Sequence, residues 1–211
     1  MQKHEQVLAL LKKEYPESKY YLNFSNPLEL LVAAIMSAQV RDTVVNSTTP
    51  ALFKKYRKAS DFANADWNEL TGDIKAVTFP GAKAKNIIAA CRILAEKHGG
   101  NVPQTMDELV DMPGIGRKTA NAILQNAFGI VEGVIVDTHV IRISYRLGWT
   151  KQTKPEKIEK DLMELFAKGE WRKLPHLLKD HGRAICRAPV PLCSKCPVSS
   201  LCPKHGVKKK M

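Results

Sequence analysis

Strand-like alternation of apolar and polar residues is almost absent from this chain, which removes sandwiches, barrels and α/β sheets from consideration. The one β-branched run, Val134-Ile135-Val136, is too short to build a sheet and reads as an extended link into a helix after Asp137. No apolar stretch reaches the roughly 20 residues that span a bilayer. The most apolar segment, Leu28 to Val40, contains Glu29 and reads as a buried helix. The N-terminus, Met1-Gln2-Lys3-His4-Glu5, runs into an amphipathic stretch with Val7, Leu10, Leu11 and Tyr15. It lacks the apolar core and cleavage site of an export signal, so a cytoplasmic, non-secreted protein is expected. Internal repeats and low-complexity linkers are missing as well.

What is present is helix after helix. Asn26-Pro27 starts the buried helix; Ile87, Ile88, Cys91, Leu94 and Ala95 mark another that ends at Gly99-Gly100. Pro155 opens one carrying Ile158, Leu162, Leu165 and Phe166, and Trp171, Leu174, Leu177 and Leu178 mark one more before Gly182. The fold class is all-α. With 211 residues and 44% hydrophobic composition, the chain can bury a real core as one large or two small domains, with a boundary expected near Gly129 to Gly133. Thirty-three Lys and Arg against 21 Asp and Glu give a net charge of +12, which favours a polyanionic partner, nucleic acid before membrane. The run Lys208 to Lys210 reads as a solvated end.

The most informative stretch is Met112-Pro113-Gly114-Ile115-Gly116-Arg117-Lys118-Thr119-Ala120, set between two helical segments. Thr105 with Glu108 three residues later forms a capping box for a short helix, and Pro113 stops it. Ala120, Ile123, Leu124, Ala127 and Phe128 recur at helical spacing up to Gly129, so a second helix starts near Arg117. Gly114 and Gly116 are able to take positive φ and carry no side chains, which lets a phosphate approach the amides at the second helix's N-terminus beside Arg117 and Lys118.

Four of the five cysteines form a second signal near the C-terminus: Cys186, six residues, Cys193, two residues, Cys196, five residues, Cys202. Without an export signal, thiolates this close read as a metal centre, with zinc and iron–sulfur as the candidates. The uneven single run suits a larger cluster better than the paired cysteines of structural zinc. Pro189, Pro191, Pro197 and Pro203 stiffen a segment with too few apolar residues for its own core, so the centre is expected to be structural. Arg183, Arg187 and Lys195 stand around it as possible phosphate contacts, while Cys91 reads as an inert core thiol.

Together the Pro113–Ala120 hairpin, Val136-Asp137-Thr138-His139 and the cysteine run resemble the endonuclease III family of helix-hairpin-helix, iron–sulfur DNA glycosylases, over nearly the whole chain. Ser37-Ala38-Gln39 and Lys83-Ala84-Lys85-Asn86-Ile87-Ile88 are similar to that family too. The resemblance implies a [4Fe–4S] cluster on Cys186, Cys193, Cys196 and Cys202. It implies a six-helix bundle with the hairpin at 22–132, a cluster domain from 1–21 and 133–211, and DNA lying between them. Lys118 is then the nucleophile and Asp137 its carboxylate partner, acting on a damaged base or abasic site in double-stranded DNA.

An amine is what a glycosylase needs if it also cuts the backbone: attack at the sugar C1′ and ring opening give a Schiff base that permits β-elimination. Because the target base is stacked, it must be flipped out and the gap filled. Gln39 is the family's polar filler, and Phe79, standing where a leucine is common, serves as an apolar wedge. Arg41 replaces a small polar residue and is a candidate contact to the opposite strand or a phosphate; Gly114, Gly116, Arg117 and Arg187 complete the expected DNA contacts. The activity expected is a monomeric bifunctional glycosylase and abasic-site lyase acting on oxidised pyrimidines in chromosomal DNA. Alternatives are a monofunctional mismatch or pyrimidine-dimer glycosylase, and a non-catalytic iron–sulfur damage sensor.

Overall fold

The computed structural model describes residues 2–209 and 211. Their regular structure is helical: α1 (Lys3–Glu14), α2 (Pro27–Met36), α3 (Asp42–Lys55), α4 (Ala59–Ala63), α5 (Trp67–Asp73), α6 (Pro80–Lys97), α7 (Met106–Val110), α8 (Arg117–Ile123), α9 (Thr138–Arg146), α10 (Pro155–Leu165) and α11 (Leu174–Ala184). A π-helical turn, Leu124–Phe128, continues α8, and 3-10 turns lie at Lys168–Glu170 and Cys193–Lys195. The described residues contain no strand, and Val134-Ile135-Val136 is a buried extended link, so the fold is all-α. None of the described helices is long and apolar enough to cross a membrane. Lys208 and Lys209 are exposed at the basic end; Lys210 and Met1 lie outside the described residues.

Two compact units result: Tyr21–Ile130, and Met1–Tyr20 together with Val131–Met211. Helix α2 is the centre of the first. Asn26 caps it by accepting from the Glu29 amide at 3.0 Å, Pro27 opens it, and every residue from Leu30 to Met36 is buried, the pattern of a helix surrounded on all sides. It stops at Met36 rather than running to Val40, because the chain turns at Ser37 and Gln39 adopts left-handed φ 57°. α6 packs against α2, α4 and α5 through Ala84, Ile87, Cys91 and Leu94, then ends before Gly99 (φ 57°) and Gly100 (φ 83°).

The second unit gathers Val7, Leu11, Val140, Ile143, Ile158, Leu162, Leu174, Leu177 and Leu178 into one core from α1, α9, α10 and α11. Gly182, expected just beyond the last of these helices, lies inside α11. There a Cβ would meet His139 Cδ2 at 2.7 Å and Arg142 Nη2 and Ile143 Cδ1 at 2.9 Å. The glycine marks close approach of α11 to α9, and packing outweighs its weak helix propensity.

Candidate functional site

The hairpin begins at α7, where the Thr105 hydroxyl accepts from the Glu108 amide at 3.4 Å and also donates to the Glu108 carboxylate. Met112 and Ile115 are buried pins that fix the turn, leaving Gly114 exposed between them and Gly116 exposed just after. Gly114 takes φ 81°, and a Cβ there would sit 2.9 Å from Asn86 Nδ2 and 3.0 Å from Asn86 Cβ on α6, so the residue is required on both counts. Gly116 differs from expectation: its φ of −95° is open to any residue. No heavy atom lies within 4 Å of where its Cβ would be, so what its missing side chain provides is clear space at the start of α8. Arg117 and Lys118 occupy the exposed first turn of that helix, while Ala120, Ile123 and Leu124 anchor it behind. The first-turn amides of a helix have no partner within it, which suits an anion.

Asp137 caps α9. Its Oδ1 accepts from the His139 and Val140 amides at 2.8 and 2.9 Å, and its Oδ2 lies 3.4 Å from His139 Nδ1. Capping and a chemical role are compatible here, since the backbone bonds hold the carboxylate in one orientation. Lys118 belongs to the Tyr21–Ile130 unit and Asp137 to the other.

Gln39, Arg41 and Phe79 are all exposed and all in the first unit. Phe79 is 67% exposed and sits at φ 54°, a left-handed conformation that is an outlier for a bulky residue. Gln39, at φ 57°, shares that conformation. Their loops are joined: Thr78 Oγ1 donates to the Gln39 carbonyl at 3.2 Å, and Lys83 Nζ donates to the Ala38 carbonyl at 2.8 Å. Burial lowers the Lys83 pKa below the ordinary lysine value.

The four C-terminal cysteines line one small pocket with His181 and Arg146. Burial raises the Cys196 thiol to about 11 and pushes Cys202 upward, and charge on the neighbouring cysteines adds to both rises. Thiols opposed by burial and by one another are what metal cations relieve. Among the described residues no three His, Cys, Asp or Glu side chains converge as ligands of a single ion. A polynuclear group does not ask for that convergence, because each sulfur binds its own metal corner. The shell already donates to sulfur: Arg146 Nη1 to Cys186 Sγ and the Lys204 amide to Cys202 Sγ, at 3.4 and 3.3 Å, with His181 Nε2 3.7 Å from Cys196 Sγ. Arg183, Arg187 and Lys195 are exposed, with Arg187 Nε donating to the Ala184 carbonyl at 3.0 Å. Cys91 is fully buried and its thiol is pushed up to about 12 by burial, as suits an inert core residue.

Residues 32–168 match the family profile described as HhH-GPD superfamily base excision DNA repair protein. The endonuclease III of Synechocystis sp. is 48% identical over 202 residues, covering 96% of this chain and 92% of that one. This chain belongs to the endonuclease III family. It is therefore a base-excision repair enzyme, a DNA glycosylase with abasic-site lyase activity. Endonuclease III of Escherichia coli is 36% identical over 200 residues, with 95% and 94% coverage. A solved non-covalent endonuclease III–DNA complex superimposes with a TM-score of 0.90 at 39% identity, over 97% of this chain and 96% of that chain.

Three residues of this endonuclease III relative escaped the sequence reading. Arg146 reaches from the end of α9 to the carbonyls of Cys186, Arg187 and Pro189 as well as to a cysteine sulfur. His181 stands five positions before Cys186, the one local hint of its place beside the sulfurs. Lys83 lies in a segment whose likeness to the family is plain but whose partners are far away in sequence.

Proposed function

We propose that this chain excises oxidised pyrimidines such as thymine glycol from duplex DNA and then cleaves the strand by β-elimination, with Lys118 as nucleophile and Asp137 as the carboxylate. The observation that carries this reading is an exposed lysine amine at the first turn of α8, directly after a hairpin whose Gly116 leaves the approach open. The unprotonated amine attacks C1′, and the base departs with the electron pair of the glycosidic bond. Ring opening gives an iminium ion; loss of a C2′ proton then expels the 3′ phosphate, and water releases the lysine. Ionised Asp137 accepts the proton that Lys118 sheds and stabilises cationic character at the sugar. Gly114, Gly116 and Arg117 receive a backbone phosphate. Gln39 and Phe79 fill the gap left by the extruded base, Arg41 contacts the strand opposite, and Arg187 meets a phosphate.

Cys186, Cys193, Cys196 and Cys202 hold a [4Fe–4S] cluster in this reading, supported by their shared pocket, the N–H donors aimed at Cys186 and Cys202, and the His181 ring beside Cys196. When bound, the cluster supplies four metal–sulfur bonds that close a segment poor in apolar side chains. The protein acts as a monomer in the compartment that holds chromosomal DNA. Thymine glycol duplex is the test substrate, with base release and strand cleavage measured separately. The reading expects both from the intact chain, neither from Lys118→Ala, and a strong loss of both from Asp137→Asn. Base release without strand cleavage in the intact chain would make it monofunctional, and binding without either would leave a damage sensor.

A further inference from the structure

Lys83 is a lysine with 5% exposure whose ammonium group is spent on neutral oxygens: the Ala38 carbonyl at 2.8 Å and Thr78 Oγ1 at 3.5 Å. Thr78 passes the connection on by donating to the Gln39 carbonyl at 3.2 Å. A polar chain thus runs from the first turn of α6 to two successive carbonyls in a loop some 45 positions earlier. At each end of this chain stands a residue other than glycine in left-handed conformation, Gln39 at φ 57° and Phe79 at φ 54°. Conformations of that kind persist only where surrounding structure over-determines them, and here the over-determination is visible. Burying an amine is costly, and an aliphatic residue of the same length would fill the space while leaving the Ala38 carbonyl without this donor.

We infer that Lys83 is a positioning residue, which with Thr78 locks the Gln39 and Phe79 loops into one preformed, outward-facing unit for entering a duplex. The inference rests on the reading of Gln39 and Phe79 as gap fillers. Without the lock, each loop must be ordered separately as the base leaves the stack, so the cost falls on extrusion and not on the chemistry at Lys118. Single-stranded DNA with an abasic site needs no extrusion and no filling. Lock variants are therefore expected to separate the two substrates.

The full-length, iron-loaded chain would be assayed on a thymine glycol duplex and on single-stranded abasic DNA, with 2-aminopurine opposite the lesion reporting unstacking. Lys83→Met is expected to lower duplex turnover about tenfold, the scale of one or two lost hydrogen bonds, and to slow the fluorescence change while single-strand cleavage stays unchanged. Thr78→Val, at an exposed position, is expected to show the same selectivity to a smaller degree and keeps the test decisive should Lys83→Met fold poorly. In a chain already carrying Gln39→Ala and Phe79→Ala, Lys83→Met is expected to add nothing. Unselective or absent effects of both lock variants, alongside a duplex-selective loss in the Gln39→Ala, Phe79→Ala chain, would overturn the lock alone. No duplex-selective loss in that double variant would overturn the gap-filling reading, and the lock with it.

Discussion

The two units hold themselves together by different means. In Tyr21–Ile130, Leu30, Leu31, Met36, Phe62, Leu70, Ile74, Ile87 and Leu94 are all but fully buried, drawn from helices spread along the sequence. In the other unit, α1, α9, α10 and α11 make a similar core, but among the described residues the segment from Cys186 to Cys202 buries only Pro191 and Val198. Its order comes from Arg146 clasping three carbonyls and from four cysteines around a pocket. Apolar burial is roughly proportional to the area a segment can hide, so a stretch rich in proline and polar residues gains little from it, and the proposed cluster would supply what burial does not.

Loss of the proposed cluster should break this contrast most severely. Chelation of iron, or Cys202→Ser, is expected to abolish visible absorption and open the Cys186–Val207 segment to protease while Tyr21–Ile130 stays resistant; mass spectrometry of the fragments reads both. Equal digestion of the two units would show that they are not separately stabilised. Phe62→Ala should act the other way, lowering stability by about 3–5 kcal/mol in denaturant titration while leaving iron content per folded molecule unchanged. Gly182→Ala, forcing a methyl group against His139, Arg142 and Ile143, should cost about 1–3 kcal/mol in the same titration.

The smallest expected effect is a pH dependence confined to the unit that carries the four cysteines. Burial, with Lys179 and Arg172 nearby, lowers His176 from 6.5 to about 4. The folded chain then keeps this imidazole neutral where the unfolded chain protonates it, so stability falls as pH drops below the unfolded value and levels off near the folded one. Between pH 7 and pH 6 the loss from His176 is about 0.7 kcal/mol, and because buried His181 is likewise lowered to about 4, His176→Gln should make that part of the melting-temperature profile shallower without flattening it.

What the sequence made legible was local. The hairpin, the cysteine run, the Asn26-Pro27 helix start and the Asp137 link each consist of residues within a few positions of one another, and the all-α class follows from periodicity alone. Gly116 misled because residue type tells that positive φ is permitted, not that it is used. Gly182 misled because a glycine reads as a helix stop, whereas here it answers to side chains some 40 positions away on α9. Lys83 and Arg146 were silent for the same reason: their partners lie 45 and about 40 residues distant, and a lysine or arginine on a helix gives no sign that it is buried. Phe79 was legible as an odd residue in a known loop, but its left-handed backbone was not.

Lys118 is the residue proposed to form the covalent bond to DNA. The most direct test is borohydride reduction of the chain with thymine glycol duplex, followed by protease digestion and mass spectrometry of the cross-linked peptide. A trapped complex with the adduct on Lys118, lost in Lys118→Ala, is expected. An adduct on another amine, or base release with nothing trapped, would contradict it.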